Sequence, residues 1–137
     1  MDVAKDLALT DLLCTRDFPA ERGRTDFALG GPGYYMTELG PGSWPSTDDL
    51  YAHEAALALR FDERWEEGER WGSVTLQERS LRGEDIPEPW AMLGTRADDL
   101  RTWSATGTGR WVTMAVSDRD PEAEPELLLM VTEIDPP

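Results

Sequence analysis

Between Glu126 and Ile134 the chain places Leu127, Leu128, Leu129, Met130 and Val131 in succession, apolar at odd and even positions alike. In a strand successive side chains point to opposite faces, so this segment must be covered on both sides and belongs in the middle of a sheet. Just before it, Arg110 to Ser117 alternates, with Val112, Met114 and Val116 on one face. The stretch between, Asp118 to Pro125, is acidic and contains two prolines, which suits a solvated tip. The C-terminal third is therefore a long antiparallel hairpin, and whatever else the chain forms must supply layers above and below it.

The helix best placed to cover one face begins at Ser46. Ser46, Thr47, Asp48 and Asp49 offer capping oxygens and put negative charge at the positive end of a helix dipole. Leu50, Leu57, Phe61 and Trp65 then fall on one helical face, and Ala52, Ala55, Ala56 and Ala58 favour the helix intrinsically. The spacing predicts a main helix over about 47–67, stopped by Gly68. A competing reading over 57–76 remains, because Leu57, Leu59 and Phe61 also alternate and Glu66 to Glu69 would turn a hairpin.

The other elements are shorter. Val3, Leu7, Leu9, Leu12 and Leu13 predict a helix over 2–14, followed by a loop from Arg16 to Arg24. Thr25 to Leu29 and Tyr34 to Leu39 read as strands joined by a turn at Gly30 to Gly33; residues 40–45, rich in glycine and proline, fit neither regular element. Ser73 to Arg79 reads as a strand, with Val74 and Leu76 opposite Thr75 and Gln77. Residues 83–89 form a loop that delivers Trp90, Met92 and Leu93. Thr95, with Asp98 three residues on, predicts a capped short helix carrying Leu100 and Trp103 and ended by Gly107 to Gly109. The expectation is one α+β domain over 1–137: an antiparallel sheet with a C-terminal hairpin, packed against one main helix and one or two short ones. A chain of 137 residues has the usual length of one domain.

Charge narrows the partners. Against 28 Asp and Glu stand 13 Lys and Arg, a formal net charge of −15. Such a surface repels phosphate backbones and anionic lipid, so nucleic acid and membrane surfaces are not expected partners, whereas a basic protein is. No run approaches the roughly 18 apolar residues of a membrane span, and no secretory leader pattern opens the chain, so a cytoplasmic protein is the expectation. Lys5 is the sole lysine, an arginine bias of the kind that high-GC bacterial genomes produce.

Chemistry-bearing residues are few. His53, the sole histidine, lies on or beside the apolar seam of the main helix with Glu54 next to it. A histidine beside a carboxylate at a cleft edge suits acid–base work, and a hydrogen-bonded, partly buried histidine fits the same pattern. The alternating acids Asp118, Asp120, Glu122, Glu124 and Glu126 have the spacing of calcium-loop ligands, but Ala123 stands where the turn needs glycine and Leu129 where a bidentate glutamate belongs. No metal site and no cofactor are expected. Neither glycine-rich loop has the strand, helix and Lys-Ser/Thr context of a phosphate cradle. Cys14 reads as a buried small hydrophobe. The tryptophans read mostly as core, except Trp44 in its Gly/Pro loop, which with Tyr34, Tyr35 and Trp65 would line a pocket between helix and sheet.

The acids cluster at Glu63, Glu66, Glu67 and Glu69 near a helix C-terminus, where the dipole disfavours them, at Asp98 and Asp99 with Trp103 nearby, and at the tip with Asp118, Asp120 and Glu122. Arg60 and Arg64 are spaced to pair with Glu63 and Glu67. In size and charge the chain resembles small α+β bacterial proteins, among which acidic immunity proteins and antitoxins occur. These patterns give three functional expectations: an acidic interaction protein for a basic protein partner, a small-molecule binder or enzyme using His53 and Glu54, and an oligomerising structural protein.

Overall fold

The strand apolar on both faces lies at the centre of a seven-stranded antiparallel sheet. In the computed structural model, which describes residues 3–25, 28–41, 43–97, 99–117 and 122–137, the elements in chain order are α1 (Val3–Thr15), β1 (Gly23–Arg24), β2 (Leu29–Gly31), β3 (Tyr34–Leu39), α2 (Thr47–Trp65), β4 (Glu69–Gly72), α3 (Ser73–Leu81), α4 (Trp90–Gly94), β5 (Asp99–Ala105), β6 (Arg110–Ser117) and β7 (Glu126–Thr132). The sheet order is β1-β2-β3-β7-β6-β5-β4, which puts three strands on either side of β7. Ser117 pairs with Glu126 and Trp111 with Thr132, so β6 and β7 form the hairpin expected from alternation; β3 closes the other side, with Tyr34 opposite Thr132 and Leu39 opposite Leu127.

Each face of β7 meets its own helical layer. Leu127, Leu129 and Val131 pack with Leu13 of α1 and with Leu50, Leu57 and Phe61 of α2. Leu128 and Met130 point the other way, into a second cluster with Leu76 of α3 and with Trp90 and Leu93 of α4. Leu50, Leu57 and Phe61 are fully buried, and each such side chain contributes about 1.5–3 kcal/mol through the water it leaves. Ser46 caps α2 by accepting a hydrogen bond from the Asp49 amide at 3.2 Å. Leu59 decides between the helical and hairpin readings of this segment. A strand would bury it with Leu57 and Phe61, whereas the helix leaves it 59% exposed.

Several expectations change. Residues 73–81 are helix and not strand: Leu76 is buried while Val74, Thr75 and Gln77 are exposed, and the strand here is the shorter β4 just before it. Alternation over four residues also fits one turn of a helix with a single buried residue, and α3 has no capping side chain to mark its start. Leu100 and Trp103 lie on strand β5, not on a helix. Their spacing of three puts them on opposite faces, Leu100 in the second cluster and Trp103 in the first. Thr95 ends α4, its hydroxyl donating to the Met92 carbonyl, and Gly107 and Gly109, both with positive φ, lie in the turn from β5 to β6. Finally, Gly30 and Gly31 belong to β2, leaving Pro32 and Gly33 as the turn. α2 stops at Trp65, before Gly68.

Candidate functional site

His53 and Glu54 are adjacent in sequence and face different neighbours. His53 is 3% exposed, and its Nε2 lies 2.6 Å from Oδ2 of Asp6, itself buried on α1. The Trp44 ring sits over the imidazole with centroids 5.3 Å apart, and Gly40, at φ +84°, approaches Trp44 so closely that a Cβ there would clash with the indole. The Trp44 Nε1 is buried and without a hydrogen-bond partner among the described residues. This is a tie between α1 and α2, closed to solvent. Glu54 is half-buried and looks toward the sheet, where burial pushes its carboxyl above the ordinary range, Arg101 and Arg70 pull it back, and Asp99 pushes it up. The two side chains have different surroundings, His53 with Asp6 and Trp44, Glu54 with the Arg101 and Arg70 side of the sheet.

The aromatic residues expected to line one pocket are separated by the sheet. Tyr35 packs in the first cluster, and its hydroxyl donates to the Asp17 carbonyl; Tyr34, the next residue along β3, points to the other face. Trp65 is 8% exposed and stacked on Phe61 at 5.1 Å. Tyr34, Tyr35, Trp44, Trp65 and His53 line neither the cleft over β4, β5 and β6 nor the cleft over β1, β2 and β3.

Among the acids, Glu63 lies 3.8 Å from Arg60 as spacing suggested, but Arg64 turns to Asp11 of α1 and leaves Glu67. Glu66, Glu67 and Glu69 are exposed and make no ion pair among the described residues. Asp62, one turn earlier, holds this segment in place: its Oδ1 accepts 2.8 Å hydrogen bonds from the Gly68 amide and from the Trp103 indole. Trp103 is therefore no surface anchor. It is 2% exposed, set edge-on against Phe61 at 5.0 Å, because the strand turns it inward. Asp99 is exposed on β5, and Glu122 is exposed beside the hairpin tip. Asp98, Asp118 and Asp120 lie outside the described residues.

The acidic segment runs into a cleft on the second face of the sheet. Glu69 and Trp71 of β4, Thr102 of β5, Trp111 of β6 and Asp135 with the prolines after it enclose about 520 Å³. Alternation along each strand sends these side chains to the same face: Trp71 is level with Leu100, and Arg70 points the opposite way, level with Arg101. Both indoles are half-buried and fixed, the Trp71 Nε1 donating to Thr102 Oγ1 at 3.0 Å and the Trp111 Nε1 to Asp135 Oδ1 at 3.1 Å. Thr102 in turn bonds Thr113 at 2.9 Å, so the donors and acceptors of the cleft floor are satisfied internally. Its walls carry two carboxylates and two indoles and no cationic side chain.

No known family model, curated protein or solved structure matches the chain.

The cleft must therefore be read by its own chemistry. Carboxylates beside aromatic faces suit a guanidinium or ammonium group, which gains both Coulomb attraction and ring-quadrupole attraction. In the sequence Trp71 and Trp111 read as core; the signal against that is that Trp111 alternates with Val112, Met114 and Val116 and so faces away from them. Among the described residues no group of three or more His, Cys, Asp or Glu side chains is placed to hold a metal ion, and no helix is long and apolar enough to cross a membrane. The Cys14 thiol is buried, and burial, with Asp11 nearby, pushes its pKa up to about 11.

Proposed function

We propose that this is a non-enzymatic interaction protein that binds a basic protein partner through the β4 edge, in the manner of an inhibitor, immunity protein or antitoxin. The observation that carries the reading is the cleft in which Glu69 and Asp135 stand beside the Trp71 and Trp111 rings without a cation. An arginine or lysine of the partner enters it, and Glu66 and Glu67, exposed and without ion pairs among the described residues, extend the acidic surface around the point of entry. The net charge of −15 speeds the encounter, and the cleft gives it a place to end. β4 is also the last strand of the sheet, the position at which a neighbouring chain would add a strand.

A synthetic arginine-rich peptide tests the reading by calorimetry at low and high salt. The triple substitution E66Q/E67Q/E69Q is compared with E21Q/E78Q/D85N, which removes the same charge from exposed positions elsewhere. The expected result is binding that salt weakens and that the first triple weakens about tenfold more than the second, a difference of about 1.4 kcal/mol. Equal weakening by both triples means that the peptide senses only net charge, and the site assignment fails.

A further inference from the structure

A second cleft lies on the same face of the sheet at its opposite end. It encloses about 400 Å³ over β1, β2 and β3, within the roughly 300–1,000 Å³ range of small-molecule sites. Leu29 and Met36 form its floor, level with each other across β2 and β3. Arg24 of β1 stands on one side, level with Leu29; Glu38 of β3 stands on the other, two residues beyond Met36 on the same face. One end is closed by the Arg96–Glu126 ion pair at 3.1 Å, so those two charges already answer each other.

Arg24 and Glu38 do not. Both line the cleft and both are exposed, yet neither makes an ion pair with the other or with any described residue. Two strands across and two residues along, their backbones are about 12 Å apart, with the Leu29 and Met36 floor between them and no ion pair across it. Burial pushes the Glu38 carboxyl above the ordinary range, and Glu126 adds to that, while Arg96 only partly offsets it. A cation brought to Glu38 would relieve this.

We propose that this cleft binds a small zwitterion whose ammonium and carboxylate are separated by a short apolar chain, the ammonium on Glu38, the carboxylate on Arg24, the methylenes on Leu29 and Met36. An ω-amino acid is the class of ligand that satisfies both charges and the floor at once. The site is separate from the Trp71–Trp111 cleft, and its occupancy does not depend on the protein-binding reading.

ε-Aminocaproate is the probe, with hexylamine and hexanoate as single-charge controls, read by calorimetry and by amide shifts of β1 to β3 on the whole chain. R24Q and E38Q change exposed side chains, and circular dichroism confirms that each variant is folded. The expected result is binding of ε-aminocaproate that is at least about tenfold tighter than that of either control and is weakened by about tenfold or more in each variant. The proposal is overturned if the probe moves no resonance of β1 to β3, if hexylamine or hexanoate binds as well, or if both variants bind the probe as the parent does.

Discussion

A single histidine among 28 acids meets a carboxylate by chance on the surface, but His53 meets one where no water competes. With Asp6 and His53 both buried and 2.6 Å apart, deleting the carboxylate strands an imidazole nitrogen in the core. Asp6→Ala should cost about 1–3 kcal/mol of stability, read as a lower urea midpoint with little change in slope. Replacing both partners by apolar residues, Asp6→Leu with His53→Phe, should cost less than either single change, because no polar group is left unanswered. Glu54 gives a prediction of opposite sign. Its folded pKa is raised, so below the unfolded value both states hold the proton and it contributes nothing. As pH rises past the ordinary carboxylate value the unfolded chain releases its proton first, and the charged form then burdens the folded state. Glu54→Gln should therefore be more stable than the parent at neutral pH and converge with it in acid, seen in paired melting curves across that range.

At the scale of elements, legibility in the sequence followed how many independent signals agreed. α2 carried a cap, an apolar face and a run of alanines, and β7 carried apolar residues on both faces; both were readable, as was the place of β7 in the centre. α3 and β5 each offered one ambiguous spacing, and tertiary burial decided them: one buried leucine suffices for α3, while β5 buries Leu100 and Trp103 on opposite sides. The site was less legible than the fold. The sequence marks Glu69 among its acids but not Asp135, and the cleft that brings the two together depends on which face Trp71 and Trp111 take, a property of a register set between β4, β5 and β6. The turn that joins α2 to β4 has its own signature. Glu66 adopts φ 80° and ψ 173°, a region open essentially to glycine. Such a residue costs on the order of 1–3 kcal/mol, against roughly 0.5–1 kcal/mol of extra chain entropy for glycine. Glu66→Gly should therefore raise the melting temperature, while weakening capture of the arginine-rich peptide by removing one carboxylate. A variant that lost both stability and binding would mean that the Glu66 side chain holds the turn together.

At the scale of the whole molecule, the arginines among the described residues are placed unevenly relative to the acids. Arg60 and Arg64 answer Glu63 and Asp11, Arg79 and Arg82 answer Glu84, and Arg96 answers Glu126, while Arg70 and Arg101 face the Glu54 side of the sheet. The α2–β4 turn is left with Glu66, Glu67 and Glu69 in a short span and no ion pair among the described residues. Like charges held that close repel, and the unfolded chain relaxes the repulsion by separating them. Salt does the same for the folded state, since the Debye length shrinks from about 30 Å at 0.01 M to about 3 Å at 1 M. The melting temperature should thus rise as sodium chloride is added, and it should rise less in E66Q/E67Q/E69Q than in E21Q/E78Q/D85N, although the two carry the same net charge. Matching slopes for the two triples would show that the repulsion is a property of total charge alone, with no local pool at the β4 edge for a basic partner to neutralise.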